Sequence, residues 1–133
     1  MTMPLRNPTM TYIFREESFL IQGAIFEVYK EIGVGFLEAV YQECLIREFT
    51  FRKIPFVSQP EFEISYKGEK IPLTYRPDFV CYNKIIVELK AARDITDEFR
   101  AQIHNYLRIS GFKLGLLVNF GNYPKVAIER IVY

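Results

Sequence analysis

Two carboxylates and a lysine hold the spacing most able to do chemistry in this chain. Asp78 follows Pro77 at the start of a strand-like stretch, Glu88 comes ten positions later on the next one, and Lys90 stands two residues beyond. Residues i and i+2 of a strand point to the same face, so Glu88 and Lys90 project together from the end of an otherwise apolar strand. A hairpin through Asn83-Lys84 can bring Asp78 alongside Glu88. Carboxylates brought together repel, which shifts a pKa or draws in a divalent cation such as Mg²⁺ or Mn²⁺. With such an ion bound and Lys90 orienting the attacking water, the set forms a minimal device for phosphodiester hydrolysis. An acid-x-lysine strand end is also a common salt-bridged surface, so the surroundings have to carry the reading.

Further polar residues stand where they could join this set. Gln102 and Tyr106 are four apart and share one face of a helix, where an amide and a phenol can hold a water, a metal-site carboxylate or a phosphate oxygen. A solvated helix edge with a half-buried tyrosine accounts for the same pair. Glu38 lies in Gly35-Phe36-Leu37-Glu38-Ala39-Val40-Tyr41, in the first turn of a helix, where it either complements the helix dipole or supplies a third acidic group. His104, the one histidine, is two residues from Gln102 and so points away from the Gln102–Tyr106 face. Arg93, Arg100, Arg108 and Lys113 could line a path for a phosphate backbone or form a solvated charged face. Tyr66, Tyr75 and Tyr82 could stack on bases where exposed.

The elements that must position these residues follow from hydrophobic period. Ile21, Ala24, Ile25, Val28 and Ile32 recur at three- and four-residue steps and predict an amphipathic helix over 17–32, ended by Gly33 in the left-handed conformation. A second helix is predicted over 37–52, with Val40, Tyr41, Cys44, Leu45 and Phe49 as its apolar stripe and Pro55 beyond its end. The period then falls to two. Phe62, Ile64 and Tyr66, a Lys67-Gly68 turn, and Ile71, Leu73 and Tyr75 make a hairpin. Residues 76–82 and 85–90 make a second strand pair, and Ile85-Ile86-Val87 is apolar on successive residues, as in a central strand covered on both faces. A third helix is predicted over 97–110, with Thr96 as N-cap, Gly111 past its end, and Phe99, Ile103 and Leu107 facing the core. Strands over 114–120 and 126–132, joined at Gly121-Asn122, close the sheet. The pattern is α/β or α+β: a mixed β-sheet flanked by helices, two of them N-terminal.

A chain of 133 residues suits one domain, expected over 16–133 behind a loose arm over 1–15. Seventeen basic residues against sixteen acidic give a formal net charge of +1, which excludes a polybasic binder whose affinity comes from bulk charge. Cys44 and Cys81 have no Cys or His at metal-ligand spacing and read as buried reduced thiols. The N-terminus lacks the apolar core of a signal peptide and no apolar run approaches a membrane span, so the expectation is a cytoplasmic protein with no membrane partner.

Taken together, the motifs resemble the GxxExxY family of the PD-(D/E)xK nuclease-like superfamily. Gly35 to Tyr41 matches G-x-x-E-x-x-Y; Pro77-Asp78 followed by Glu88-Leu89-Lys90 matches the superfamily core; Gln102 to Tyr106 matches the Q-x-x-x-Y element of RecB-like nucleases; and Lys113 to Gly121 looks like the closing strand. The resemblance runs from about Glu17 to Val132. It implies a restriction-endonuclease-like α/β core in which Asp78, Glu88 and the Leu89 carbonyl ligate Mg²⁺ or Mn²⁺. Glu38 would be a third acidic ligand, Lys90 would position the nucleophilic water, and Gln102 and Tyr106 would shape the site. Tyr29 stands where many relatives carry a histidine, and Arg76-Pro77-Asp78-Phe79 replaces a more usual Arg-Leu-Asp-Leu; neither departure touches an implied ligand. The implied activity is a metal-dependent nuclease acting on nucleic acid, DNA more than RNA, with a protein partner or homo-oligomer as possible company. The alternative is a catalytically silent nuclease-fold module that binds nucleic acid or protein; the intact Lys90 favours the nuclease.

Overall fold

The computed structural model describes residues 12–133. Three helices and seven strands follow the predicted order among them. Helix α1 (Arg15–Ile32) buries Ile21, Ala24, Ile25 and Val28, the residues whose spacing foretold it. Glu16 and Glu17 in its first turn and Lys30 in its last suit the helix dipole. Gly33 ends it at φ 66°, ψ −157°, a positive-φ conformation but not the left-handed helical one expected, because the chain must extend at once towards the next helix. Helix α2 (Glu38–Phe51) buries Tyr41, Gln42, Leu45 and Phe49. Val40 is exposed and Cys44 half-buried, so the stripe is narrower than the sequence suggested and includes a polar residue. The loose arm expected over 1–15 falls largely outside the described residues. Of its described part, Arg15 already belongs to α1 and the Ile13 carbonyl accepts a hydrogen bond from Arg130.

The strands are β1 (Phe56–Ser58), β2 (Phe62–Tyr66), β3 (Glu69–Tyr75), β4 (Phe79–Cys81), β5 (Ile85–Lys90), β6 (Leu114–Asn119) and β7 (Ala127–Val132), and helix α3 (Asp97–Ser110) joins β5 to β6. Five of the strands form one sheet in the order β1-β4-β5-β6-β7. The β5–β6 pair is parallel and the other pairs are antiparallel, so the sheet is mixed. The β2–β3 hairpin turns at Lys67 and Gly68, both at positive φ, and forms a separate two-stranded sheet. The turn between β4 and β5 rests on Tyr82 and Asn83, at φ 54° and 58°, one residue before the expected place. Three-residue β1 is too short to show alternation and was not predicted.

The apolar run of β5 is explained by its two faces. Ile85, Val87 and Leu89 join Phe79, Leu114, Leu116 and Val118 beneath α1 and α2. Ile86 joins Val80, Leu117 and Ile131 beneath Ile103 and Leu107 of α3. The parity of β5 therefore sends Glu88 and Lys90 to the α3 side. Thr96 caps α3 by accepting from the Phe99 N–H, and Gly111 closes it at φ 79°, both as predicted. Phe99 is half-buried and packs against the core cluster of Ile103 and Leu107, facing it as predicted.

One close approach fixes the ends of β5 and β6. The Phe120 N–H donates to the Lys90 carbonyl at 2.8 Å. A Cβ on Gly121 would collide with the backbone of Ala92. Gly121→Ala must therefore push apart the two segments that leave the central strands. The expected cost is roughly 1–3 kcal/mol of stability, read as a lowered midpoint in urea unfolding.

Candidate active site

Asp78 stands between Pro77 and β4, and its N–H serves the site rather than the sheet. Pro77 has no N–H to give a ladder. The Asp78 N–H donates to Glu88 Oε1 at 2.8 Å, and its carbonyl accepts from the Gln59 N–H at 2.9 Å. The strand expected over 76–82 consequently shrinks to three residues. In return, the Leu89 N–H donates to Asp78 Oδ2 at 2.7 Å. The β4–β5 register, Phe79 opposite Val87, sets the two carboxyls side by side as the hairpin reading anticipated.

Glu88 is buried and Asp78 half-buried, and the nearby charge of Lys90 offsets only part of the cost of burial. Glu88 is 5% exposed. Burial first, and the charge of Asp78 second, push its carboxyl up to about 8. Asp78 is also raised by burial, while its hydrogen bonds from Leu89 and Glu88 pull the other way. The charge of Lys90 pulls both carboxyls down, but burial prevails in each.

Lys90 projects from the same face of β5 and holds its ammonium 4.7 Å from the centre of the Phe99 ring. Helix α3 adds Gln102, whose Nε2 donates to the Tyr106 hydroxyl at 2.8 Å. Tyr106 stacks on Tyr75 at 4.6 Å between ring centres, and the Tyr75 hydroxyl donates to its carbonyl. Burial raises the Tyr106 phenol, and the charge of Glu88 raises it further, so the Gln102–Tyr106 pair borders the carboxylates.

Glu38 comes from the other layer. It is exposed in the first turn of α2 and shares a cavity of about 360 Å³ with Asp78, Gln42, Ser58 and Gln59. Its charge contributes to raising Asp78. Among the described residues no three acidic, histidine or cysteine side chains converge as a ready-made metal-holding group, so Glu38 stands off from the Asp78–Glu88 pair.

Other candidates separate from the site. Arg100 gives its guanidinium to Glu129 at 2.8 and 2.7 Å and to Asp97 at 2.7 Å, which removes it from any phosphate path. Arg108 donates to Asn105, and the Lys113 ammonium lies over the Tyr133 ring. Tyr75 is buried in its stack and unavailable to bases, whereas Tyr66 is exposed. His104 is exposed on α3. Both cysteines are unpaired; Cys81 is buried, which pushes its thiol up to about 12, and Cys44 is only half-buried.

Two residues at the site escaped the sequence reading. Gln42 is buried on α2 and donates to Ser58 and to the Asp78 carbonyl. Asn119, fully buried and opposite Lys90 in the β5–β6 register, accepts from the Ala92 and Gly121 N–H groups, while its Nδ2 has no partner among the described residues. The signal for Asn119 was present: a polar residue ending an otherwise apolar strand.

The donor set fits a hard divalent cation. Two carboxyls in contact, Glu88 buried and Asp78 half-buried, are both raised despite the nearby Lys90, and a bound cation would offset that cost. The Leu89 carbonyl lies in the same stretch of β5 and Glu38 borders Asp78, so further oxygen ligands are at hand.

Comparison with known proteins agrees with this arrangement. The model of the PD-(D/E)XK nuclease superfamily matches residues 15–131, nearly the whole described chain. The chain belongs to that superfamily. A solved structure described as the crystal structure of SSO0001 is similar in fold, with a TM-score of 0.56 and 20% identity, over 71% of this chain and 48% of that one. The chain thus spans about half the length of that structure. No curated protein matches the chain significantly. No helix among the described residues is long and apolar enough to cross a membrane.

The buried pair gives the metal-free protein a pH signature. Glu88 has a folded pKa of about 8, above its ordinary value of 4.5, so between those values the native state binds more protons than the unfolded chain. Stability in the presence of a chelator is expected to be full below the lower value and to fall as pH rises towards 8, by at most about 1.4 kcal/mol per pH unit for one proton. Glu88→Gln, an uncharged mimic of the protonated acid, should flatten that slope. Urea unfolding of both proteins from pH 5 to 9 reads it; identical slopes would refute the assignment of the proton to Glu88.

Proposed function

We propose that this chain is a metal-dependent nuclease that hydrolyses phosphodiester bonds in nucleic acid, with DNA the favoured substrate. The observation that carries the reading is the contact of half-buried Asp78 with buried Glu88, on the strand face that also carries Lys90. The superfamily supports a nucleic-acid substrate, and the resemblance of Gly35 to Tyr41 to the GxxExxY motif supports a role for Glu38.

Asp78 and Glu88 would hold Mg²⁺ or Mn²⁺, with the Leu89 carbonyl and Glu38 completing the oxygen set. When bound, the ion supplies Lewis-acid activation and charge neutralisation at the phosphate. Lys90 orients the attacking water and offsets the negative charge that grows on the phosphoryl oxygens. Its seat over the Phe99 ring leaves the ammonium near enough for its charge to act on both carboxyls. Gln102 and Tyr106 form the wall opposite; their mutual hydrogen bond fixes the phenol, leaving amide and hydroxyl positions that can accept or donate to a phosphate oxygen.

A second reading has its own observation. The three carboxylates are not gathered, and Arg100 is spent on Glu129, so a silent module that binds nucleic acid or a protein partner also fits. Cleavage assays separate the two. Circular single-stranded DNA, linear duplex DNA and RNA are incubated with Mg²⁺ or Mn²⁺ and wild type, Asp78→Ala or Lys90→Ala protein. The nuclease reading expects metal-dependent cutting by wild type and a loss of at least about a hundredfold in either variant. Metal binding without cleavage of any substrate would favour the silent module. Equal cutting by wild type and Lys90→Ala would overturn the role given to Lys90.

A further inference from the structure

Gln42 is the one polar side chain buried among the packing residues of α2, and each of its contacts leads to the site. It lies one helical turn after Glu38, so the two project from the same face of the helix. At 9% exposure it has little water to bond. Its Nε2 donates instead to Ser58 Oγ at 2.9 Å and to the Asp78 carbonyl at 3.0 Å. Ser58 is opposite Phe79 in the β1–β4 register, so both acceptors belong to the strand end that carries Asp78.

The apolar contacts of α2 cannot do this work alone. Tyr41, Leu45 and Phe49 press the helix onto the sheet, but apolar packing is non-directional and leaves small slides and rotations inexpensive. A buried amide with two acceptors is directional. Moving α2 along its axis or about it would break both bonds and leave the amide unsatisfied in the interior. Meanwhile the N-terminal end of α2 is fixed independently: the Tyr41 hydroxyl donates to the Gly33 carbonyl at 2.6 Å, and its ring stacks on Phe120 at 4.3 Å. Glu38 lies about one turn before both anchors, at the start of the helix they hold.

Resting on the metal-site reading given above, we infer that Gln42 is a positioning residue: it locks helix α2 to the Asp78 backbone and so sets the place of Glu38 over Asp78. The cavity lined jointly by Glu38, Gln42, Ser58 and Asp78 is the space across which Glu38 meets the cation. Gln42 touches neither cation nor substrate in this assignment. It acts through Glu38, in the manner of an outer-shell partner that orients a ligand.

Calorimetric titration of the full chain with Mn²⁺ alone tests this without any cleavage readout. Wild type, Gln42→Leu, Glu38→Gln and the double variant are compared, with thermal unfolding of each to establish that it is folded. Gln42→Leu is expected to weaken Mn²⁺ binding by about tenfold. In the Glu38→Gln background the same substitution should change affinity less than twofold, because the residue it positions is already gone. Ser58→Ala, which leaves the bond to the Asp78 carbonyl intact, should bind as wild type does. Wild-type affinity in folded Gln42→Leu, or a full tenfold loss persisting without Glu38, overturns the assignment. Should Gln42→Leu fail to fold, Gln42→Met, which keeps the length and apolar stem but not the donor, takes its place under the same criteria. No Mn²⁺ binding by wild type would instead overturn the metal-site reading beneath it.

Discussion

The contact between Asp78 and Glu88 is the constraint to which the rest of the structure answers. Two carboxyls in contact, one buried and one half-buried, raise the free energy of the folded chain whenever both are charged, and backbone hydrogen bonds offset only part of that. The chain meets this cost in a specific way. The Asp78 N–H is withheld from the sheet and given to Glu88, and the Leu89 N–H is given to Asp78. The carboxylates are thereby braced by the backbone at the ends of strands β4 and β5. Preorganisation of this kind is what a metal site needs, since ligands already held in place lose little freedom when the ion arrives.

The central strands make that bracing possible. Because β5 is covered by α1 and α2 on one face and by α3 on the other, its alternate residues divide cleanly: Ile85, Val87 and Leu89 into one core, Ile86 and then Glu88 and Lys90 towards α3. A slip of one residue would turn Glu88 into the larger apolar core, where nothing could satisfy it. The parallel partner β6 enforces the same division and ends with Asn119 beside Lys90, where it ties off the Ala92 and Gly121 backbones. Gly121 and Ala92 touch so closely that the two strand ends are locked together. The polar ends of apolar strands are thus where the fold and the site become one problem.

Much of this was legible in the sequence, and the reasons differ by element. Helix α3 was readable to its caps because Thr96 and Gly111 are local signals that act on neighbouring backbone groups. The face shared by Glu88 and Lys90 was readable because strand parity is a geometric identity. Long-range choices were not. Nothing in residues 62–75 says that their hairpin will stand apart as its own sheet, resting through Phe62 on Phe112 and through Tyr75 on Tyr106. Nor could Arg100 be told from a phosphate-binding arginine until β7 brought Glu129 against it. Gln42 shows the limit most clearly. One turn beyond Glu38 it is an ordinary helix-surface residue in sequence, and only the packing of α2 over β1 and β4 makes it a buried donor.

The two faces of the sheet also divide the labour of the site. Glu88, Lys90, Gln102 and Tyr106 belong to the α3 layer and are held by short-range geometry: a strand, the helix that follows it, and the turns between. Glu38 belongs to the α2 layer and shares a cavity with Asp78 only because two layers meet at one strand end. Coupling between layers is the part of a fold most exposed to small shifts, since it depends on how a helix is seated and not on the covalent chain. In this site the α3 half is set by short-range geometry and the α2 half by the hydrogen bonds of Gln42. Asp78 belongs to both: its carboxylate faces Glu88 and its carbonyl faces Gln42. The seating of α2 is therefore the variable on which assembly of the full acidic set depends.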